Sequence, residues 1–480
     1  MVRKSMAAAL LGLLAWAAAA QDVKTVIGNV SKAMGADGLK TVEYSGSGAD
    51  FSLGQAMNPT SPWPRFNDPM YDRIIDFDKE ASHVVRTRTQ GENPPRGGGG
   101  QPLYGNQRQD QVVIFNEQTP WNQRLDLVML PWGFLRAASA ANATIETKKI
   151  SGKKYTVISF DGGNKAKVNG YVDDQNRIAR VETWVDNAVL GDMLYEADYS
   201  DYKDFNGVKF PMHILQKQGG WPTFELTVTD VKPNVAANIR QPAGRGGRDG
   251  RGGPGGPGAP GVAAPAEPEK LSDGVYLLPG AYAAVAVDMK DGILVIEGPQ
   301  SEQRALEIIS EAKRLIPGKP IKWVVNTHNH FDHASGLRTF VAEGATVITH
   351  QINKSYYEKV WSNPHTINPD KLSEAKVKPK FETMTEKKVL TDGNHVVELY
   401  HVKNSLHNDG MIMAYLPREK VIVEADEFNV VNTPDAPVNP YHVNLVENLE
   451  RLKLDYDRII PIHYPGRRVD RAELLRAAHK

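Results

Sequence analysis

The sequence of 480 residues predicts an α+β protein with a β-rich N-terminal part and a C-terminal part that mixes strands and helices. Before residue 240, apolar and polar residues alternate between Gly, Asn and Asp turns, which is the pattern of half-exposed strands. After residue 271, short apolar runs alternate with helical stretches, as in sheets covered by helices. A segment rich in Gly and Pro separates the two parts, and the chain is too long for one ordinary core.

The composition is that of a globular protein and excludes some classes of function. Hydrophobic residues make up 41% of the chain, and 57 basic residues balance 57 acidic ones. We expect no nucleic-acid partner, because nucleic-acid binding needs an excess of basic residues. Cysteine is absent. Disulfides, thiolate nucleophiles and cysteine metal ligands are therefore excluded.

The first twenty residues are typical of a secretory signal peptide. Arg3 and Lys4 precede an apolar run at 7–20 that ends in a small-x-small cleavage pattern. The sequence therefore predicts a signal peptide at 1–20 and an exported protein, periplasmic or secreted. An uncleaved anchor or a buried helix is the alternative. No later segment has the length and apolarity of a membrane helix, so no integral membrane segment is expected after removal of the signal.

Residues 21–240 are predicted to form a β-rich domain, a binding or packing module without catalytic residues. Its strands are "KKYTVISFDG", "AKVNGYVDDQNRIARVETWVD", with a hairpin connection at "DDQNR", and "FELTVTDVKPN". The stretch "PPRGGGGQP" (Pro94–Pro102) is predicted to be a mobile surface loop. The run "YSDYKDFNGVKFPMHI" resembles lipoprotein-carrier-type half-barrels of the bacterial periplasm, which implies an antiparallel sheet curled around an apolar cavity.

Residues 241–270 are predicted to be a flexible linker, because Gly, Pro, Ala and Arg dominate and almost nothing in the segment can be buried. The remaining residues, 271–480, form the second predicted domain. It begins with strands in "DGVYLLPGAYAAVAVDMKDGILVIEGP", including a hairpin turn at Asp291-Gly292. The elements that follow are the helix "SEQRALEIISEAKRLIPG", strand "IKWVVNT", helix "ASGLRTFVAEG", strands "ATVITH", "HVVELYHV", "MIMAYLP" and "KVIVEAD", helix "NLVENLERLKL", strand "DRIIPIHY" and helix "VDRAELLRAAHK".

A metal site is indicated by the stretch "THNHFDHASG", which follows the apolar strand "IKWVVNT". It contains His328, His330, Asp332 and His333, so three of the thirteen histidines lie within six positions. Imidazole and carboxylate groups are good ligands for zinc, manganese or iron. Four donors in so short a segment exceed what one tetrahedral metal would take from it, which implies two metals.

Further ligands are expected where other buried strands meet loops. The candidates are His407, Asp426 and His463. His401 is the alternative to His407, although it lies within a strand-like run. Glu424 and Glu427 flank Asp426 and are its alternatives. The other downstream histidines are predicted to be structural or surface groups: His350, His365, His395 and His442.

This ordered set resembles the metallo-β-lactamase-fold hydrolases over about residues 271–480. The run "HNHFDH" matches the His-x-His-x-Asp-His motif of that family, and the three later ligands follow in its order. The resemblance implies an αββα sandwich that binds two zinc ions, or manganese or iron. One metal would be held by His328, His330 and His407, the other by Asp332, His333 and His463, with Asp426 bridging. Glu297 stands where the family usually has an aspartate that supports the metal loop, so the surroundings of the ligands are expected to differ.

The resemblance also implies a hydrolase that uses a metal-activated hydroxide. The expected substrate is a small molecule with an ester, thioester, lactone, amide or phosphodiester bond, and Asp332 is the candidate catalytic residue that orients the nucleophile. A β-lactamase proper is an alternative, although Asp426 stands where such enzymes have a cysteine or no ligand. An iron-dependent oxidoreductase of the same fold and a non-enzymatic metal- or ligand-binding protein are the others. No oligomeric state is predicted.

Overall fold

A computed structural model describes residues 23–92, 94–98, 102–163, 165–240, 267–430, 437–463 and 465–480. The predicted signal peptide lies outside these ranges, and so does the predicted linker except for its last four residues, 267–270. In the described ranges, none of the helices combines the length and the apolarity that a bilayer crossing requires.

The N-terminal part is built on one antiparallel sheet of eleven strands, in the order β4-β3-β2-β1-β11-β10-β9-β8-β7-β6-β5. A helix, α1, precedes it at 23–34. The strands are β1 (Thr41–Phe51), β2 (Arg65–Asp76), β3 (Ala81–Gln90), β4 (Gln107–Ile114), β5 (Thr144–Ile150), β6 (Lys153–Asp161), β7 (Lys167–Val172), β8 (Ile178–Asn187), β9 (Gly191–Phe205), β10 (Val208–Gln218) and β11 (Trp221–Pro233). The hairpin connection predicted at "DDQNR" is present between β7 and β8, where the Asp173 N–H donates to the Arg177 carbonyl.

Two helices, α2 (Trp121–Val128) and α3 (Pro131–Ala140), pack on this sheet. Strand β9 alternates between buried and half-buried residues along its first nine positions, so its apolar side chains share one face. On that face Trp132 of α3 lies 4.9 Å from Phe210 of β10, measured between ring centroids. Aromatic packing therefore joins the helices to the sheet. The resemblance to lipoprotein carriers stays a prediction.

The C-terminal part is an αββα sandwich of a seven-stranded and a six-stranded sheet. The first sheet contains β12 (Glu269–Ser272), β13 (Val275–Leu278), β14 (Ala284–Met289), β15 (Gly292–Ile296), β16 (Ile321–Val325), β17 (Thr346–His350) and β18 (Lys380–Met384). The second contains β19 (Lys387–Thr391), β20 (Val396–His401), β21 (Ile412–Leu416), β22 (Val421–Glu424), β23 (Arg458–Pro461) and β24 (Val469–Asp470). The helices are α4 (Glu302–Leu315), α5 (Phe331–Ala334), α6 (Leu337–Ala342), α7 (Gln351–Val360), α8 (Lys371–Ala375), α9 (Pro440–Leu452) and α10 (Arg471–Ala477).

Strand β14 shows why the sequence forms such a sandwich. Its residues Ala284 and Ala286 belong to the apolar cluster on the helix side, whereas Val285 and Val287 belong to the cluster between the two sheets. A strand covered on both faces must be apolar at every position, and this one nearly is. The turn after it was predicted one residue too late. Gly292 pairs with Met289 in the ladder, so the turn residues are Lys290 and Asp291.

Parallel pairing places several strand ends at one edge of the sandwich. In the first sheet β16 pairs in parallel with β15 and β17. In the second, β22 and β23 are parallel neighbours. Because the carboxyl ends of parallel neighbours point the same way, the loops after them gather at one edge, where ligands bind in open sheets.

The two parts of the chain share apolar packing. One continuous cluster of buried residues includes Leu226 and Val228 of β11 as well as Ile293 and Val295 of β15. Trp63 packs edge-on against Phe331, with ring centroids 5.6 Å apart. The N-terminal sheet and the sandwich are therefore in direct contact beside α5.

Candidate metal centre

The segment after β16 forms a closed loop around Asn326. The Asn326 amide donates to the carbonyl of His328 at 2.6 Å and to that of His333 at 3.2 Å. Its own oxygen accepts from the Tyr357 hydroxyl at 2.7 Å and from the Thr349 hydroxyl at 3.1 Å. This buried amide ties both ends of the histidine-rich loop together and anchors them to α7 and β17.

Helix α5 begins at Phe331, three residues before the predicted helix "ASGLRTFVAEG" starts. His330 precedes it with extended backbone (φ −61°, ψ 148°), while Asp332 and His333 lie in its single turn. The change from extended to helical backbone lets donors two to five positions apart converge. The rings of His328 and His330 are 4.4 Å apart, and those of His328 and His333 are also 4.4 Å apart.

The three later donors reach the same edge from the other sheet. His407 precedes β21, whose first amide, Ile412 N–H, donates to the Thr327 carbonyl at 2.8 Å. Asp426 lies two residues beyond β22, and His463 lies two residues beyond β23, so both strands end slightly earlier than predicted. His463 forms an antiparallel bridge with Tyr282 and so connects the two sheets.

All seven predicted metal ligands come together in this cluster. Their donor atoms form three groups in which the atoms lie within 4.8 Å of one another: His328, His330 and His407; His328, His333 and Asp426; and Asp332, His333 and His463. Asp426 lies between the other two groups. Its carboxylate is 2.8 Å from Nε2 of His333 and of His463, 3.4 Å from Nε2 of His328, and 3.6 Å from Nε2 of His407.

The hydrogen bonding of these atoms fits metal binding. His328 Nε2, His330 Nδ1 and His407 Nε2 are buried and have no hydrogen-bond partner among the described residues. Asp426 Oδ2 likewise has none by the same geometric criterion, although His333 Nε2 lies 2.8 Å away. Buried polar atoms without partners are costly in a folded protein, and a bound ion is one of the few ways to satisfy them.

The electrostatics divide the histidines into two sets. Burial lowers the pKa of His328 well below its ordinary value, lowers that of His407, and lowers that of His330 to about 3. These three imidazoles are therefore neutral, the form that donates a lone pair to a metal. Burial also opposes protonation of His333 and His463, but the neighbouring Asp426 carboxylate raises the pKa of both.

Glu297 supports the histidine loop from below, although it is longer than the aspartate usual in the family. It is fully buried, and its Oε2 accepts from the Thr327 hydroxyl at 2.5 Å and lies 3.4 Å from His333 Nδ1. Its backbone has a positive φ of 82°, which turns the chain at the end of β15. The sequence predicted that the surroundings of the ligands differ at this position. The difference is a longer carboxylate side chain, which still contacts Thr327 and His333.

Asp332 has two partners that sequence reasoning missed. Its Oδ2 accepts from the Tyr282 hydroxyl at 2.9 Å. Its Oδ1 accepts from the Gln55 side-chain amide, 277 positions earlier in the chain, at 2.8 Å. Tyr282 follows the strand signal "VYLLPG" closely enough to have been a candidate, but no pattern in the sequence points to Gln55.

The alternative donors have other roles. The His401 imidazole contacts the Asp409 carbonyl and stacks on His350, so it stays outside the cluster. Glu424 accepts from the backbone N–H groups of Glu427 and Phe428, and thereby shapes the turn that carries Asp426. Glu427 accepts from the Ser405 hydroxyl. The histidines predicted to be structural or surface groups belong to none of the three donor groups: His350, His365, His395 and His442.

The prediction of a surface loop at Pro94–Pro102 is wrong for its central residues. Gly97 and Gly98 are buried. The Gly97 N–H donates to the Leu406 carbonyl at 2.8 Å, and the Gly98 N–H donates to the Gln55 carbonyl at 2.9 Å. Glycine richness indicated flexibility, whereas here the absence of side chains allows close approach to the site. Residues 99–101 lie outside the described ranges.

Residues 283–463 match the sequence profile of the metallo-β-lactamase superfamily. The C-terminal part of the chain has the metallo-β-lactamase fold, which confirms the predicted resemblance and the predicted αββα sandwich. Together with the cluster of histidine and aspartate donors, this match supports an enzyme of the metal-dependent hydrolase type.

Solved structures of several differently named proteins are similar to this part of the chain. A metallo-β-lactamase from Pontibacter korlensis is 16% identical, with a TM-score of 0.35 over 44% of this chain and 97% of that one. A flavodiiron protein from Giardia intestinalis is 16% identical, with a TM-score of 0.34 over 45% and 58%. A sec-alkyl sulfatase double mutant is 17% identical, with a TM-score of 0.33 over 44% and 40%. These likenesses carry no argument about activity. No curated protein sequence gives a significant match.

Proposed function

We propose that the protein is an exported hydrolase that binds two metal ions, zinc in the first place, and cleaves an ester, thioester, lactone, amide or phosphodiester bond of a small molecule. The observation that carries the proposal is the position of Asp426. Its carboxylate lies within 3.6 Å of imidazole nitrogens from both outer donor groups. A carboxylate placed between two sets of ligands is suited to bridge two cations.

The donor atoms divide into two sets of three around Asp426. His328, His330 and His407 would hold one ion, and the other would be held by a second set: Asp332, His333 and His463. Ions bound there would lower the pKa of a coordinated water from about 15.7 toward about 7 and would polarise the bond to be cleaved.

Side chains of the protein hold Asp332 in a fixed orientation. The hydroxyl of Tyr282 and the amide of Gln55 each donate to one oxygen of Asp332, so both oxygens of this carboxylate are fixed in place. A fixed carboxylate at the mouth of the cluster can accept a proton from the attacking nucleophile and orient it. The ring of Tyr282 also packs on His463 at 4.5 Å and limits how that imidazole can turn.

The alternatives make different predictions for metal content and reactivity. The same imidazole and carboxylate donors suit iron, which would favour redox chemistry. A closed structural site would take a single ion and leave no position open. A β-lactamase would open cephalosporins in preference to other substrates.

The test combines elemental analysis of the mature protein with a panel of a chromogenic cephalosporin, a lactone, a thioester and a phosphodiester. The variants are Asp426→Ala and, as a matched control, Asp273→Ala, whose side chain is 86% exposed and bonded only to Lys270 nearby. We expect about two zinc ions per chain and turnover of one substrate class, both lost in Asp426→Ala and retained in Asp273→Ala. Two irons with oxygen consumption, or substoichiometric metal without turnover, would contradict the proposal.

A further inference from the structure

The N-terminal part of the chain forms one side of the metal centre. We call residues 53–57, together with 97–98, the wall. Within it the Gly54 carbonyl accepts from the Phe331 N–H at 3.1 Å, and the Met57 carbonyl accepts from the Asp409 N–H at 2.8 Å. These backbone bonds attach the wall to both loops that carry predicted ligands, the one after β16 and the one before β21.

The wall determines which nitrogen of His330 is available. His330 Nε2 lies 2.8 Å from the carbonyl oxygen of Ala56, and both residues are buried. A carbonyl oxygen only accepts hydrogen bonds, so Nε2 must carry the proton. The neutral ring then has its lone pair on Nδ1, which is the atom that lacks a partner and joins the first donor group. A backbone carbonyl of the N-terminal part thus sets the tautomer of a ligand in the C-terminal part.

The wall also orients Asp332 through Gln55. The Gln55 amide donates to Asp332 Oδ1 at 2.8 Å, which leaves Oδ2 as the oxygen that faces the second donor group, 3.6 Å from both His333 and His463. An amide that donates to one oxygen of a carboxylate restricts its rotation. Outer partners of this kind orient metal ligands and tune their affinity.

Two glycines of the wall are packed so closely that they leave no space for a side chain. A Cβ added at Gly98 would lie 2.0 Å from the Gln55 side-chain oxygen and 2.8 Å from Cε1 of His330. A Cβ added at Gly54, where φ is +78°, would lie 2.3 Å from the ring of Phe331. The glycines therefore let the wall approach the ligands to contact distance.

We propose that the metal centre is completed by the N-terminal part, with the Ala56 carbonyl and the Gln55 side chain acting as positioning groups for His330 and Asp332. The inference rests on the proposed function, since it assigns these groups to the same metal centre. It gives the β-rich part a role in metal affinity and in the geometry of the site, in addition to packing.

The first test replaces Gln55 by methionine, which keeps the length of the side chain and removes its hydrogen bond. The matched control is Asn58→Leu, because Asn58 makes an equally short bond across the same interface, 2.8 Å to Asp409, which is not a predicted ligand. Zinc affinity is measured by competition with a chromogenic chelator. We expect Gln55→Met to weaken one of two zinc sites by about 10- to 100-fold and Asn58→Leu to leave both unchanged.

A spectroscopic readout separates positioning from general stability. Cobalt(II) replaces zinc, and the visible absorption of each variant reports the coordination of the ions. We expect an altered spectrum for Gln55→Met and an unaltered one for Asn58→Leu, with equal melting temperatures of the two metal-free proteins. An unaltered spectrum and unchanged affinity in Gln55→Met would overturn the role of Gln55.

The second test concerns His330 and uses Gly98→Ala, with Gly38→Ala as the control because a Cβ at Gly38 meets nothing within 4 Å. We expect Gly98→Ala to weaken zinc binding by about tenfold or more and Gly38→Ala to have no effect. If the wild-type protein binds no metal, the proposed function fails. If it binds two ions and hydrolyses a substrate, but both the Gln55 and Gly98 variants bind metal normally, only the inference fails.

Discussion

At the scale of single residues, Glu297 influences a metal ligand although it is not one of the seven predicted ligands. The carboxylate is buried at the end of β15, and one oxygen is shared between the Thr327 hydroxyl and the imidazole of His333. An acceptor near Nδ1 favours the tautomer of His333 that carries its lone pair on Nε2, which faces Asp426.

Replacing Glu297 by glutamine is expected to weaken metal binding. Glutamine keeps the shape, but its NH2 group only donates, so on one side it would replace an acceptor, facing either the Gly298 N–H or the Thr327 hydroxyl and His333. We expect zinc affinity to fall by about tenfold, measured by chelator competition. A suitable control is Glu302→Gln, at the half-buried start of α4 and outside the three donor groups. Equal affinities of the two variants would show that Glu297 has no influence on the metal loop.

Tyr282 offers a second prediction at the scale of one atom. Tyr282→Phe removes the hydroxyl that donates to Asp332 and leaves the ring packed against His463. We expect kcat to fall by about tenfold while the zinc content per chain stays the same. Tyr276→Phe, on the neighbouring strand β13, is the control. A loss of zinc in Tyr282→Phe would mean that the hydroxyl supports binding and not orientation.

At the scale of elements, the site depends on how α6 and α8 are joined. Arg338 of α6 forms a two-pronged ion pair with Asp370, the N-cap of α8, and its side chain is only 4% exposed. The Ser373 N–H and hydroxyl donate to the same carboxylate. Helix α6 directly follows the loop of predicted ligands, so this pair anchors the segment that comes after them.

Asp370→Asn is therefore expected to destabilise the protein in a pH-dependent manner. Arg338 and Ser373 lower the pKa of Asp370 below its ordinary value of 3.8, despite the opposing effect of burial. Because the folded-state pKa is depressed, the stabilisation is complete above about pH 4 and is lost as the pH falls through the folded-state pKa. We expect a loss of about 3 kcal/mol in the free energy of unfolding at pH 7, measured by urea denaturation.

The difference between Asp370→Asn and the wild type should shrink on acidification below pH 4. The control is Asp291→Asn, at an exposed turn, which should match the wild type throughout. A difference that stayed constant from pH 7 down to pH 2 would contradict the assignment of the effect to the ionised carboxylate.

At the scale of the whole molecule, the N-terminal and C-terminal parts share an interface within the described residues. The shared apolar cluster is extended by polar contacts at a second place, where Asp192 accepts from the N–H groups of Thr366 and Ile367 and from the Thr366 hydroxyl. The wall lies in the loops after β1 and β3, whereas Asp192 lies in β9, so the interface is attached at two separate points.

We expect this interface to make unfolding cooperative across both parts. Calorimetry of the wild type should show one transition, because separating the parts exposes the shared apolar cluster. Asp192→Ala should lower the temperature of that transition without splitting it, and Asp174→Ala, at the exposed turn between β7 and β8, should not change it. Two resolved transitions in the wild type would show that the parts unfold independently.

Local patterns predicted sheets covered by helices and donors at the ends of buried strands, and the family resemblance supplied the αββα sandwich and the division of the seven donors between two metals. Short apolar runs mark the buried strands. The donors come directly after those runs, so their position in the sequence indicates their position at the ends of the strands. The wall could not be predicted in this way. Gln55 and Ala56 meet their partners across more than 270 positions, with no periodicity to connect them. Gly97 and Gly98 were interpreted as flexible because a glycine run is equally compatible with a free loop and with close packing.

The carbonyl of Ala56 has a consequence for how the protein tolerates substitution. Every amino acid carries a carbonyl, so no exchange at position 56 can delete the group that holds His330, and only a bulky residue would disturb it, since the alanine is 2% exposed. A mutational scan would therefore score this position by side-chain volume alone. Related chains could change the residue freely among small ones and keep the interaction. The contribution would therefore leave no trace in the chemical type of residue 56, although it acts on a predicted metal ligand.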